Sequence, residues 1–287
     1  SGAVGFTIDA TDLAGNALST VNSTTDSSSV TFDETAPTSS VTIASDNNDT
    51  TLAKAGNTVT LTITTDEDIQ EPTCVFTGVA GDVRVTGSGS IWECEVTTAT
   101  GDNAGVIAYE ITAEDIAGNA LSPVSVTTDG TSVTFDETAP TLTSVSIASD
   151  NGTTPETKAK DGDRITLSFT SNEPLLTSTP PTCVFTSGPN SDPMTGVSSG
   201  NITATAPAGG DGRNWSCEYE IVPTDNEGEV SFTIDAFDLV GNNMVQVVSV
   251  TDGSSMDIDR TLPFIDCSIA TDTGCWINTC VLDDGGD

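Results

Sequence analysis

Apolar and polar side chains alternate in short runs along most of this chain. Between Thr38 and Asp136 the runs are Ser40-Val-Thr-Ile-Ala, Thr58-Val-Thr-Leu-Thr-Ile-Thr, Thr73-Cys-Val-Phe-Thr, Asp82-Val-Arg-Val-Thr, Ile91-Trp-Glu-Cys-Glu-Val, Val106-Ile-Ala-Tyr-Glu-Ile-Thr and Ser132-Val-Thr-Phe. Glycine, aspartate, asparagine and proline separate them, and nowhere does an i, i+3, i+4 apolar stripe reach helical length. Period two with Val, Ile, Thr and aromatic residues predicts strands that bury one face. Seven such strands in roughly 100 residues is the signature of a two-sheet sandwich, labelled A to G. The expected fold is therefore all-β.

The pattern recurs. Val30 to Thr38 and Val133 to Thr141 both read VTFDETAPT, and Met256 to Phe264 reads MDIDRTLPF. Ahead of each stands a second motif, at Asp12 to Asn16, Asp115 to Asn119 and Asp238 to Asn242. Both motifs step by 103 residues and then by 123. Steps of this size are one small domain each, too long for a solenoid unit. The predicted arrangement is a tandem array: 1–36 as the back half of a sandwich, 37–139 and 140–260 as complete sandwiches, and 261–287 as the front part of another. The second complete unit carries longer loops. Its largest insertion, around Ser187 to Gly212, is rich in Pro, Gly, Ser and Asn and reads as a surface loop.

Charge narrows the function. With 43 Asp and Glu against 7 Lys and Arg the net charge is −36, which excludes electrostatic binding of nucleic acid or an anionic membrane and makes cations the natural partners. There is no histidine, so the commonest general base and every Ser-His-Asp or Cys-His arrangement are missing. No P-loop, dinucleotide fingerprint or long apolar run is present, and the opening SGAVGFTIDA lacks a basic and then apolar stretch. The expectation is a protein without enzymatic activity and without membrane insertion in this segment, any export signal lying outside it.

Cysteine repeats with the domains. Pro72-Thr-Cys74 is followed by Trp92-Glu-Cys94, and Pro181-Thr-Cys183 by Trp215-Ser-Cys217. The recurrence predicts one disulfide per unit between strands C and E, and with it an oxidising compartment. Cys267, Cys275 and Cys280 are left over. Cys280 aligns with Cys74, and its partner would lie on a strand E from further chain or from another copy.

The motif pair D-x-A-G-N and V-T-F-D-x-T-A-P-T resembles the bacterial-type immunoglobulin-like repeats of giant surface adhesins and other large extracellular proteins. The resemblance covers essentially the whole chain, although the common bacterial form usually lacks cysteine. It implies tandem Ig-like seven-stranded sandwiches in a linear array, at the cell surface or outside the cell. In such a sandwich the B–C and F–G loops share the pole where the chain enters. Asp33 and Glu34 are then expected to meet Asp66, Glu67, Asp68, Asp115 and Asn119, and Asp136 and Glu137 to meet Glu173, Asp238 and Asn242. Oxygen ligands in such number suit Ca²⁺, which takes six to eight. The alternative is a solvated acidic surface on which Asp and Asn simply favour turns. Pro37 and Pro140 stiffen the linkers without metal.

N-x-S/T sequons stand at Asn22, Asn48, Asn151, Asn201 and Asn214, of which Asn48 and Asn151 occupy the same A–B loop of successive units. Their number is close to chance in so Ser/Thr-rich a chain. The functional expectation is a structural stretch of an extracellular fibre, its terminal half-domains completed head to tail by copies of itself or by adjacent repeats. The rival is the stalk or binding region of a surface adhesin that contacts glycans or surface proteins.

Overall fold

The computed structural model describes residues 1–152, 157–194, 202–207, 209–262, 264–272 and 275–283, the last two stretches as backbone. All regular structure among them is β, as the alternation predicts, and no helix is long and apolar enough to cross a membrane. The chain divides into two compact units, Ser1–Glu137 and Thr138–Asp287.

In the first unit the strands are β1 (Gly2–Ala3), β2 (Thr31–Phe32), β3 (Ser39–Ser45), β4 (Leu52–Ala53), β5 (Thr58–Thr65), β6 (Thr73–Thr77), β7 (Arg84–Ser88), β8 (Ile91–Thr97), β9 (Gly105–Val106), β10 (Ala108–Thr112) and β11 (Thr134–Phe135). One sheet runs β3-β5-β8-β7, which is the order A, B, E, D of an Ig-like sandwich. The facing layer pairs β6 with β10 and β4 with β11 with β9; β9 and β10 are one strand F, tied to the last strand by the Ile107 N–H on the Val133 carbonyl at 2.9 Å. Alternation is nearly perfect on β5, where Val59, Leu61 and Ile63 point inward with no exposure and Thr58, Thr60 and Thr62 point outward. They cluster with Val41 of the adjacent strand β3 and with Phe76, Ile111 and Phe135 of the facing layer.

The second unit continues with β12 (Leu142–Ser149), β13 (Lys158–Ala159), β14 (Arg164–Ser171), β15 (Thr182–Ser187), β16 (Asp192–Pro193), β17 (Ile202–Thr203), β18 (Asn214–Glu220), β19 (Gly228–Asp235), β20 (Asp257–Ile258), β21 (Phe264–Asp272) and β22 (Cys275–Asp283). Its sheets run β12-β14-β18 and β13-β20-β19-β15-β16, around a core that includes Leu167, Phe185, Trp215 and Ile234. The plan differs from the first unit at one place. Among the described residues no strand lies beside β18 where β7 would; Thr205 meets that edge by a single bridge, and the insertion's short strands β16 and β17 pair with β15 instead. At the far end β21 and β22 pair directly, with Cys267 opposite Cys280 and Asp272 opposite Cys275. The side chains of Cys267, Cys275 and Cys280 lie outside the described residues.

The disulfides are Cys74–Cys94 and Cys183–Cys217. Each joins the third strand of one sheet to a strand of the facing sheet, so a covalent bond spans the layer that hydrophobic contact otherwise holds alone.

Residues 1–36 are built differently in one respect only. Their backbone repeats the last strands of a sandwich: the bridges Ile8 to Val21 and Thr11 to Ala17 match Ile111 to Val124 and Glu114 to Ala120. The core is absent. Ile8 is 52% exposed where Ile111 and Ile234 show none, and Phe32 is 54% exposed where Phe135 shows 1%. Val4, Phe6, Leu18 and Val30 are exposed in the same way.

Closing loops between cysteines 20 and 34 positions apart in sequence removes about 3 to 4 kcal/mol of unfolded-state entropy each. Replacing Cys74 and Cys94 together by alanine is expected to lower the stability of the first sandwich by about 3 kcal/mol. Urea denaturation should show its midpoint falling while the second transition stays in place.

Candidate acidic site

The D-x-A-G-N motif folds the same way three times. The aspartate carboxylate turns back over its own loop: Asp115 Oδ1 accepts the N–H groups of Gly118 at 2.6 Å and Asn119 at 2.8 Å, and Oδ2 accepts the Asn119 side-chain amide at 2.8 Å. Asp238 is held identically by Gly241 and Asn242, and Asp12 by Ala14 and Asn16. The glycine takes a positive φ, 95° at Gly118, which a side chain would strain. Asp115 and Asp238 are thereby fixed at 1% exposure.

Three strokes of backbone then bring other acids to Asp115. The B–C loop bridges it through Ile69, and Gln70 adds its N–H to the Glu114 carbonyl at 2.8 Å. The buried Thr65 hydroxyl donates to the Glu67 carbonyl at 2.6 Å and sets that residue at the loop's tip. The linker arrives with Asp33, whose carbonyl accepts the Asn119 amide at 3.3 Å. As a result Asp33, Glu67 and Asp115 each bring a carboxylate oxygen within 4.8 Å of the others. No lysine or arginine pairs with any of them.

In the second unit the same device places Glu173 beside Asp238, again within 4.8 Å, with the buried Ser171 hydroxyl donating to the Glu173 carbonyl. Thr65 and Ser171 are residues that the reading of motifs missed. The available signal was a hydroxyl two positions before the glutamate in both repeats.

The other expected ligands are used elsewhere. Asp66 accepts the Thr38 N–H at 2.7 Å and its hydroxyl at 2.8 Å, and in the second unit Asn172 takes the Thr141 N–H at 2.7 Å from the same position. An uncharged amide suffices there, so that position serves as a hydrogen-bond acceptor for the linker. Glu34 and Asp68 are exposed and stand outside the close group. Asn119 and Asn242 turn their amide nitrogens onto the motif aspartates. Glu137 accepts the Gly101 N–H at 3.1 Å; Asp136 gives only its backbone N–H to the Ala53 carbonyl at 2.9 Å, a bond that does not engage its carboxylate.

Crowding shows in the titration of the three acids. Loss of solvation, then the charges of Asp33, Asp115 and Asp66, push the Glu67 carboxyl above its ordinary value. Burial works against ionising Asp115, yet the bonds from Asn119 and Gly118 outweigh it and hold that carboxyl below its ordinary value. The Ser1 hydroxyl and the Thr35 N–H do the same for Asp33. The donor set is oxygen alone, with no imidazole or thiolate, which fits a hard cation such as Ca²⁺ rather than zinc or copper.

Of the sequons, Asn22, Asn48 and Asn214 are exposed. Asn151 is half-buried, with its amide on the Lys158 carbonyl at 3.1 Å, and Asn201 lies outside the described residues.

No family model matches the sequence, and no curated protein matches it. Among solved structures, a marsupial T cell receptor is similar over 81% of this chain and 78% of its own, with a TM-score of 0.35 and 11% identity. The D00-D0 domain of intimin is similar over 75% of this chain and all of its own, with a TM-score of 0.30 and 17% identity.

Proposed function

We propose that this chain is a structural, non-enzymatic stretch of an extracellular fibre, made of Ig-like sandwiches in series. Neighbouring copies share a sandwich, and Ca²⁺ stiffens the joints. The observation that carries this reading is the bare face of residues 4–32. It is folded as half of a sandwich, and its core positions are open to solvent while their equivalents in the two complete units are buried. Covering six large apolar side chains is worth on the order of 10 kcal/mol before the cost of association.

The occupant is the front half of another repeat, supplied by adjacent chain or by a second copy. Cys267-Ser-Ile-Ala-Thr-Asp repeats the strand A sequence Val145-Ser-Ile-Ala-Ser-Asp, and this stretch is strand β21. A contact of this kind uses two different surfaces and does not close on itself, so it propagates as a filament. The two disulfides support an oxidising, extracellular setting. Acids recurring at equivalent positions suit a repeated structural role better than a single catalytic centre. The exposed Asn22 and Asn48 are open to glycosylation.

Calcium has a definite place in this reading. Asp33, Glu67 and Asp115 supply its carboxylates, and the ion relieves the repulsion that raises Glu67. A raised Glu67 holds its proton more tightly folded than unfolded, so its ionisation costs stability as pH rises past the raised value. Asp115 and Asp33 are lowered, so their contribution is present above the ordinary carboxylate value and is lost as pH falls through the lowered one.

Glu67→Gln is therefore expected to raise the Tm of the first sandwich at neutral pH in chelator, and to blunt its rise on adding calcium. For the parent chain, calcium at a hundredfold excess over Kd should add about 2.7 kcal/mol, roughly 10 °C or more for a domain of this size. A parent Tm that ignores chelation removes calcium from the proposal. Assembly is tested separately. The parent should associate with rising concentration into beaded filaments by sedimentation and negative-stain microscopy, and Phe6→Asp with Ile8→Asp should keep it monomeric. A parent that stays monomeric throughout overturns the shared sandwich.

A further inference from the structure

The second sandwich carries a different chemistry on the sheet face turned away from its core. Across β12, β14 and β18 the outward side chains at one end fall in two rows: Ser144, Thr170 and Asn214, then Ser146, Ser168 and Ser216. The first sandwich has Ile91 and Glu93 at the corresponding places on β8, and β7 closes the edge beside them. In the second sandwich, among the described residues, the edge of β18 there is met by Thr205, which exchanges backbone hydrogen bonds with Ser216 at 2.8 and 2.9 Å. The chain then leaves through Ala206 and Pro207, and the Pro207 carbonyl accepts the Gly210 N–H at 3.1 Å. Between this strap and the two rows lies a concavity of about 370 Å³.

We propose that this concavity binds a neutral saccharide. A chain with 43 carboxylates places none of them on its lining, so the site asks for a ligand without positive charge. The side chains turned outward into it are hydroxyls and the Asn214 amide, while Phe169 and Trp215 of the same strands are buried in the core. Each hydroxyl both donates and accepts, which matches the hydroxyls of a sugar ring. The Ser144, Ser146 and Ser168 hydroxyls bond to no other described residue, so a ligand displaces only water from them. Thr170 donates to Asn214 Oδ1 at 2.8 Å, which orients the amide and leaves its N–H groups to donate outward. Ala206 and Pro207 give one apolar wall for the C–H face of a ring. The volume lies at the small end of the roughly 300 to 1,000 Å³ typical of ligand sites. Without an aromatic platform the affinity belongs in the millimolar range, which suits recognition through many repeats acting together. This site goes beyond the structural reading and stands or falls independently of assembly.

The test uses the full, disulfide-bonded chain produced without glycosylation, so that no sugar on Asn214 fills the same space. Methyl α-mannopyranoside, methyl β-galactopyranoside and methyl β-glucopyranoside are titrated while backbone amide shifts are followed by NMR. The expected result is saturable shifts at Ser146, Ser168 and Ser216 with at least one of them at millimolar concentration. Ser168→Lys should weaken binding at least tenfold, whereas Thr62→Lys, at the equivalent position of the first sandwich, should leave it unchanged. The proposal is overturned by no saturable shift with any of the three, by shifts that persist in Ser168→Lys, or by glycerol or methyl glucuronide binding equally well.

Discussion

A sheet with one apolar face has to be covered, and nearly everything in this molecule follows from how that requirement is met. In the two complete sandwiches each sheet covers the other, and Leu61, Ile63, Leu167 and Ile234 lose all contact with solvent. The strands at 1–36 show the same requirement unmet. They keep their bridges and their motif loop, because those are local hydrogen bonds, yet their apolar residues face water.

The acidic character is organised by the same scaffold. Most of the carboxylates are engaged locally as turn and linker acceptors, as at Asp66, Asp12 and Asp102. The exception is the group in which a buried aspartate, fixed by its own asparagine, meets a glutamate placed by a threonine hydroxyl and an aspartate delivered by the linker. Cations are few, and those at Arg84 and Arg164 pair with glutamates on the sheet surface, far in role from this group. Surface pairs of that kind add little stability. Three carboxylates are thus gathered at the pole where the chain enters the sandwich, and Glu67 among them is raised above its ordinary value.

Much of this was legible in the order of residues, for identifiable reasons. Period two exposes which side of β5 or β14 is inward, and the recurrence of Cys74 with Cys94 and of Cys183 with Cys217 reported a shared position on the fold. The sandwich implied by the resemblance to Ig-like repeats also put Asp33, Glu67 and Asp115 on one list. It could not separate them from Asp66 or Asn119, since an acceptor for a linker N–H and a member of a charged cluster look alike as letters. Comparison of Asp66 with Asn172 resolves the two only once their bonds are seen. That Thr205 alone meets the edge of β18 among the described residues was hidden in an insertion whose composition said only loop. The two rows of hydroxyls were hidden for another reason: alternation marks Ser146 and Ser168 as outward without revealing that register sets them side by side.

The disulfides have a mechanical consequence. In the proposed fibre, tension would be applied through the linkers, so load would enter each sandwich along its first and last strands. If the sheets part, the segment between Cys74 and Cys94 and that between Cys183 and Cys217 remain locked. At about 3.3 to 3.6 Å per extended residue, the bridges withhold roughly 70 Å of slack from the first unit and roughly 115 Å from the second. The redox state of four sulfurs thus sets how far the material can stretch before its covalent backbone bears the load.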